Sequence, residues 1–164
     1  SKKGRDQVPI KLENYIEARR DRVTLMVVCN EKKHKYKEKM EEAENFKINI
    51  HVDGDFKGIN ISAMDLCTIL SNLLDNAVEA CKKVSNPDDR IISVSIVTGD
   101  NSMVIHIENS AERMKGTDFK TDKKDKLLHG YGISNVKAIS EKYGGVFTIE
   151  RRESSCEAIL IFPI

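Results

Sequence analysis

Two asparagines one helical turn apart are the first residues whose positions suggest chemistry. Asn72 and Asn76 lie in LSNLLDNAVEAC, residues 70–81, where the other residues are mostly apolar and predict a buried helix. Asparagine is a poor helix-interior residue because its side chain competes for backbone hydrogen bonds. With Asp65 and Glu79 the asparagines share one stripe of the helix. A solvent-facing seam would usually carry longer charged side chains, so both a solvated and a functional stripe stay open.

Two glycines before a second predicted helix are another candidate binding feature. Gly130 and Gly132 directly precede ISNVKAISEKY, residues 133–143, whose apolar residues follow helical spacing. Glycine lets backbone N–H groups approach an anion closely, and the positive end of the helix dipole adds attraction. An ordinary tight turn at a helix start would explain the same residues, so the glycines alone do not identify a site.

A long charged segment, residues 111–129, separates the last predicted central strand from these glycines. Segments of this length without periodicity are usually lids or disordered. A cationic lid could close over a phosphate site, and a solvated loop is the simpler alternative. Its cations are Arg113, Lys115, Lys120, Lys123, Lys124 and Lys126.

The predicted elements that position these residues mix helices and strands. A helix is predicted from about Ala63 to Val84, begun by a capping box at Ser62. Residues 10–22 have helical spacing, and residues 30–45 predict a charged, solvated helix. Strands are predicted at 46–52, 91–97, 103–109, 146–152 and 157–164, from β-branched residues and alternation. This order predicts an α+β fold with helices packed on one face of a mixed β-sheet.

Composition limits the class of protein. The chain has 164 residues, enough for one domain, and a net charge of +1, which gives no global field for nucleic acid. Tryptophan is absent, so stacking platforms for bases are not expected. The four cysteines lack zinc spacing and predict reduced, mostly buried thiols of a cytoplasmic protein. No apolar run is long enough to span a bilayer.

Three motifs in order resemble one family. LSNLLDNAVEA looks like the N-box of the GHKL ATP-binding superfamily, the Bergerat fold. HIENS stands in the place of its first glycine box, and HGYGISNVKAISEKYGG looks like the second. DLCTILSNLLDNAVEAC, the T-D-K-K-D run and H-G-x-G-I further resemble the catalytic domains of Agr-type, peptide-sensing bacterial histidine kinases. The resemblance implies a two-layer α/β sandwich over residues 23–164, with residues 1–22 a polar start and the end of an upstream helical arm.

The resemblance also implies roles for the asparagines. Asn76 should ligate Mg²⁺ through its amide oxygen, and Asn72 should support the metal shell or a phosphate of bound ATP. In related ATP hydrolases the position of Asn72 is a glutamate that activates water, and asparagine cannot act as that general base. A site of this kind suits phosphoryl transfer to another nucleophile.

Further nucleotide contacts follow from the same resemblance. Asn109 replaces the aspartate that accepts a hydrogen bond from the adenine amino group, and the glycines of that box are missing. The second glycine box should hold the phosphates through backbone N–H groups, and one of three lid residues should contact phosphate. These expected nucleotide-binding residues are Asn109, Lys123, Lys124, His129, Gly130, Tyr131, Gly132 and Ile133.

The implied function is an ATP-binding catalytic domain of a two-component sensor histidine kinase. It would transfer the γ-phosphate of ATP to a histidine outside this chain, because His34 lacks the expected phosphoacceptor pattern. Expected partners are ATP and ADP, the phosphoacceptor segment of the same full-length protein, and a response regulator. The full-length protein would be membrane-anchored and homodimeric. The alternatives are an anti-sigma-factor-type Ser/Thr kinase of the same fold and a degenerate, non-catalytic nucleotide-binding module.

Overall fold

A computed structural model describes residues 16–19, 22–25, 45–54, 56, 58–115 and 130–164, with the backbone alone for 16–19 and 22–25 and the Tyr131 side chain undescribed. The helices are α1 (Ala63–Lys82) and α2 (Tyr131–Lys142). A short 3-10 helix covers Pro87–Asp89. The strands are β1 (Ile16–Arg19), β2 (Arg22–Leu25), β3 (Asn49–Asp53), β4 (Ile91–Thr98), β5 (Ser102–Ser110), β6 (Val146–Arg151) and β7 (Ser155–Pro163).

The main sheet has five strands in the order β3-β4-β5-β7-β6. β3 and β4 are parallel, and the other neighbours are antiparallel. A parallel pair needs a crossover connection, and α1 supplies it between β3 and β4. Alternate residues of β5 and β7 are buried, which shows that one face of the sheet carries the core. The fold is therefore α+β, a mixed sheet with two helices, as the sequence predicts.

Helix α1 begins where the sequence predicts it. The Ser62 side chain accepts a hydrogen bond from the backbone N–H of Asp65 at 3.1 Å and so satisfies one of the unpaired donors of the first turn. The apolar side chains of the helix then pack on the sheet, and Leu66, Ile69 and Leu70 are among the most buried residues of the protein. Burial of this stripe outweighs the poor helix propensity of the asparagines that interrupt it.

Helix α2 lies beside α1 in the same layer. Its apolar positions Ile133 and Val136 are buried in the core that the two helices share with the sheet. At its C-terminal end the backbone N–H of Gly144 donates to Glu141, and that of Gly145 donates to Ser140. Gly144 has φ +69°, the left-handed conformation that favours glycine at a helix end. The predicted stop at these glycines is therefore confirmed.

The helical prediction for residues 10–22 is wrong where the structure describes them. Ile16–Arg19 and Arg22–Leu25 form an antiparallel pair of strands, in the register Ile16 to Leu25. Val23 and Thr24 are β-branched and favour strands, and a helical segment this short gains little from its own hydrogen bonds. The predicted charged helix over 30–45 lies almost entirely outside the described residues. The proposed boundary between residues 22 and 23 stays a prediction.

The remaining predicted elements match the structure within a few residues. The largest shift is in β3, predicted from residue 46 and observed from Asn49, because Lys47 has φ +54° and interrupts the extended chain. Cys67, Cys81 and Cys156 are buried and form no disulfide with one another, as predicted, while Cys29 lies outside the described residues. No helix of the described residues is long and apolar enough to cross a membrane.

Candidate functional site

The polar stripe of α1 runs along α2. Asp65, near the start of α1, contacts residues at the C-terminal end of α2. Asn72, two turns later, lies against Gly132 at the N-terminal end of α2. The two helices are therefore antiparallel along this stripe. Asn76 lies one further turn along α1, is exposed, and so extends the stripe past the start of α2.

The contact between Asn72 and Gly132 joins the two principal motifs. A β-carbon at position 132 would lie 3.3 Å from Oδ1 of Asn72, 3.4 Å from its Cγ and 3.5 Å from its Cβ. The amide side chain thus occupies the space that the missing side chain of Gly132 leaves. Glycine at this position lets the asparagine approach the first turn of α2, where backbone N–H groups have no helical partner.

The N-terminus of α2 offers backbone donors to an anion. Gly130 is the N-cap residue, and no side chain caps the helix. The backbone N–H groups of Tyr131, Gly132 and Ile133 lie in the first turn, at the positive end of the helix dipole. The side chain of Ile133 is 4% exposed and belongs to the core, so only its backbone is available to a ligand. Around Gly130 the space within 4 Å of a hypothetical β-carbon is open.

The two asparagines of α1 have free amides within the described part of the chain. No described residue forms a hydrogen bond with either side chain. Asn72 is half-buried and Asn76 is exposed. Amide oxygens are ligands for hard cations such as Mg²⁺, and an exposed amide beside an anion site can supply one such ligand. Among the described residues no cluster of His, Cys, Asp or Glu could hold a metal ion, so protein carboxylates do not form a closed cage there.

Asn109 lies at the end of β5 on the buried face of the sheet. It is 6% exposed, and in register its neighbours are Ile92 of β4 and Cys156 of β7. Its Nδ2 donates to the backbone carbonyl of Ser110 at 2.9 Å. Sequence reasoning placed Asn109 correctly at a strand end.

A buried thiol ties this strand end to α1, which sequence reasoning missed. Cys81, at the C-terminal end of α1, lies 3.4 Å from the Ser110 carbonyl and 3.6 Å from the Ile91 carbonyl. Burial raises the pKa of the Cys81 thiol to about 11, so the group stays protonated and can donate. Because Asn76 precedes Cys81 by little more than one turn, the end of α1 brings Asn76 and Asn109 to one end of the domain.

A second missed feature clamps the opposite end of the helix pair. Asp65 accepts hydrogen bonds from Lys142 at 2.8 Å and from the Tyr143 hydroxyl at 2.5 Å. That hydroxyl in turn accepts from the backbone N–H of Ser62 at 3.2 Å. The hydrogen bond from Lys142, followed by that from Tyr143, lowers the pKa of the Asp65 carboxyl. Asp65 therefore has a structural role, because it holds the start of α1 to the end of α2; this contact is called the clamp. Asn72 and Asn76, further along the stripe, form its open end.

Glu79, the last member of the stripe, forms an ion pair with Lys82 at 2.8 Å. Lys82 also lies 4.8 Å from the ring centroid of Phe46. The pair is on the helix surface, so it accounts for Glu79 without a ligand. The i, i+3 spacing of the two residues is the sequence signal that could have identified it.

The start of the predicted lid is anchored on the β6–β7 turn. The backbone N–H of Met114 donates to Glu153 at 2.8 Å, and Arg113 pairs with the Glu153 carboxylate at 2.7 Å. Arg151 also donates to the carbonyl of Glu112. Lys123, Lys124 and His129, three of the predicted nucleotide contacts, lie outside the described residues. Their proposed contact with phosphate stays a prediction.

In the described part of the chain, a five-stranded mixed sheet is covered by two helices, and side-chain amides lie beside a helix start that no side chain caps. This arrangement defines an α+β sandwich domain with a polar site at one end. A family model described as "GHKL domain" matches residues 61–163. The chain therefore belongs to the GHKL family, whose domains have an ATP-binding fold. No curated protein matches the chain in sequence.

Solved structures of histidine kinases share this fold. A nucleotide-free form of the catalytic domain of histidine kinase ThkA matches with TM-score 0.61 and 20% identity, over 78% of this chain and 86% of that one. A second nucleotide-free form matches with TM-score 0.58 and 22% identity, over the same 78% and 86%. Histidine kinase AdeS of Acinetobacter baumannii matches with TM-score 0.57 and 16% identity, over 77% of this chain and 59% of that one.

Proposed function

We propose that this chain is the ATP-binding catalytic domain of a two-component sensor histidine kinase. It transfers the γ-phosphate of ATP to a histidine outside this chain, and a response regulator then receives the phosphoryl group. The observation that carries the proposal is the packing of Asn72 into the space left by Gly132. This contact puts a side-chain amide beside backbone donors that no described side chain caps, an arrangement that suits the binding of a triphosphate with its metal.

Each element of the site has one task in this proposal. The backbone N–H groups after Gly130 bind phosphate oxygens, and Asn76 supplies an amide oxygen to Mg²⁺. Mg²⁺ held there would supply positive charge to neutralise the phosphates. Asn72, next to Gly132, holds the phosphates or the metal shell. Asn109 accepts a hydrogen bond from the adenine amino group at the far end of the nucleotide.

The neutral amide of Asn72 favours transfer over hydrolysis. A general base must accept a proton from water, and an amide does not do so at neutral pH. Phosphoryl transfer to an imidazole depends mostly on positioning and charge neutralisation, because the attacking nitrogen already carries a lone pair. The site therefore suits slow ATP hydrolysis and productive transfer when a histidine enters it. The full-length protein is proposed to be homodimeric and anchored in the cell membrane.

Calorimetric titration with a non-hydrolysable ATP analogue, with and without Mg²⁺, tests the binding site. The wild-type chain should bind in a Mg²⁺-dependent manner, and Asn76→Ala should lose most of that dependence. Because Asn76 is exposed, its replacement should leave the unfolding temperature nearly unchanged. Asn101→Ala is the matched control, since Asn101 is exposed in the turn at the other end of β5 from Asn109.

Absent binding by a folded wild-type chain would refute the catalytic proposal and favour a degenerate module. Transfer itself is tested with Mg²⁺-ATP and a segment carrying the phosphoacceptor histidine. The expected product is acid-labile phosphohistidine, so the labelled phosphate transferred to the segment should be lost after brief acid treatment. Acid-stable phosphate on a serine or threonine of a partner protein would instead support the anti-sigma-factor type of kinase.

A further inference from the structure

The face of the sheet opposite the two helices carries an exposed row of apolar side chains, called here the apolar row. Its members are register neighbours, one from each of β4, β5, β7 and β6: Val97, Val104, Ile161 and Val146. Val97 is 60% exposed, Val146 59% and Ile161 41%. The row crosses four strands, a distance of about 14 Å. Scattered apolar residues are normal on a protein surface, whereas contiguous ones mark contact surfaces.

Three glutamates form a second row on the same face, called here the glutamate row. Glu108, Glu157 and Glu150 are register neighbours on β5, β7 and β6. Each lies four residues from the apolar residue of its own strand, so the two rows are about 14 Å apart. Like charges directly opposite each other on neighbouring strands destabilise a sheet. The glutamate row therefore costs stability, which a cationic partner would recover.

The described ion pairs of the glutamate row all involve its middle member. Nε2 of His106 lies 2.7 Å from Oε1 of Glu157, and Arg152 pairs with the other oxygen of the same carboxylate. One arginine and one histidine thus face three carboxylates. The row and these partners together stay negative whether or not His106 is protonated, so the face combines an apolar row with an anionic one.

We propose that this face binds a segment of a partner protein that has the chemistry of a basic amphipathic helix. Apolar side chains of the segment cover the apolar row, and its lysine or arginine side chains reach the glutamate row. A helix is about 10–12 Å across, so a helix on the apolar row brings long basic side chains on its flank within reach of the glutamates. The inference does not depend on the proposed ATP binding, because Asn72 and the start of α2 lie in the helix layer.

The two rows disfavour the other occupants of an exposed apolar face. A second copy of the chain would bring its own glutamate row to the contact. Stable interfaces also use about 20–30 residues a side, many more than the two rows supply. An anionic bilayer surface would be repelled by the same carboxylates. A cationic segment with apolar side chains is the partner whose charge and hydrophobicity both match the face.

The test is NMR titration of the full chain with a synthetic helical peptide of leucine and lysine, with the leucines on one side. The wild type should bind it with shift changes in β4 to β7. The double variant Val97→Thr and Val146→Thr keeps side chains that favour strands and should bind roughly fivefold or more weakly. Glu150→Lys should weaken binding about threefold, and less at high salt. Met64→Gln is the matched control, since Met64 is 40% exposed on α1 in the helix layer and should leave the affinity unchanged.

Two further measurements separate a partner segment from the other occupants. A twin peptide with glutamate in place of every lysine should not bind. Ultracentrifugation and co-sedimentation with phosphatidylglycerol vesicles should show a monomer that does not bind lipid. The inference would be overturned by absent peptide binding, by equal binding of the acidic twin, or by wild-type affinity in the double threonine variant. A dimer or a lipid contact that this variant abolishes would also overturn it. Thermal unfolding identifies a variant that does not fold, and the twin peptide needs no variant.

Discussion

The substitution Gly132→Ala tests whether the asparagines of α1 and the glycines at the start of α2 act as one site. The new methyl group would lie 3.3 Å from Oδ1 of Asn72, slightly closer than ordinary contact, and the amide must move by a few tenths of an ångström. Alanine in place of glycine in a helix is worth up to about 1 kcal/mol, which offsets the crowding. We therefore expect an unfolding free energy that is unchanged or slightly increased.

Nucleotide affinity should change in the opposite direction from stability. Displacing Asn72 weakens one contact to a charged ligand, and partial loss of such a contact costs about 1–2 kcal/mol. This corresponds to a dissociation constant that is roughly 5- to 30-fold larger. Calorimetry with the Mg²⁺-bound ATP analogue measures the affinity, and urea unfolding of the same samples measures the stability.

A double-mutant cycle with Asn72→Ala decides whether the effect passes through this contact. Once the amide is removed, the methyl group at 132 has nothing to displace, so Gly132→Ala should cost little further affinity. The expected interaction free energy is about 0.5–1.5 kcal/mol. Gly130→Ala is the matched control, because a β-carbon there meets nothing within 4 Å and should not couple to Asn72. Additive effects of Gly132→Ala and Asn72→Ala would refute the reasoning.

Three further predictions concern the groups around the site. Tyr143→Phe removes a hydrogen bond to the Asp65 carboxylate and should cost about 1–2 kcal/mol of unfolding free energy at pH 7. Because the pKa of Asp65 is lowered from its ordinary value of 3.8, this contribution is present above that value and disappears as pH falls through the lower, folded-state value; urea unfolding from pH 7 to pH 2 measures it. Cys81, buried and with its pKa raised to about 11, should resist alkylation at pH 8 until the protein unfolds, and early labelling in mass spectra of native protein would contradict this. Gly145→Ala would place a β-carbon 2.6 Å from the Phe162 ring and should lower the unfolding temperature by several degrees in calorimetric scans, with Gly130→Ala as control.

Periodicity predicted most of the fold because local patterns and tertiary packing agree there. The strands on either side of residues 99–101 and the helix that begins after Ser62 follow from alternation, capping and apolar spacing. The N-terminal part failed because helical spacing of a few apolar residues among charges is a weak signal. Ile16–Arg19 pairs with a neighbouring strand instead, and only the pairing partner decides between the two conformations.

The candidate site, like the fold, combines residues that local patterns indicated with contacts that they did not indicate. Asn72 and Asn76 were candidates because residues of poor helix propensity stand there at helical spacing, and Gly132 because it directly precedes a predicted helix; their roles came from the family resemblance and stay predictions. The clamp between Asp65 and Tyr143 was not predicted, since the two residues lie 78 positions apart and nothing local links them. Spacing alone also assigned Asp65 and Asn72 to one stripe with one role, whereas their different partners on α2 give them different roles.

The antiparallel packing of α1 and α2 gives a reason for amides, in place of carboxylates, at the open end of the stripe. Asp65 meets the C-terminal end of α2, where Lys142 pairs with it. Asn72 meets the N-terminal end, where the helix dipole already attracts negative charge. A neutral amide at position 72 adds no negative charge beside a phosphate bound at that end, and unlike the glutamate of the related ATP hydrolases it does not activate water. A neutral amide leaves the positive end of the helix available, so the choice of asparagine preserves the anion site that the glycines open.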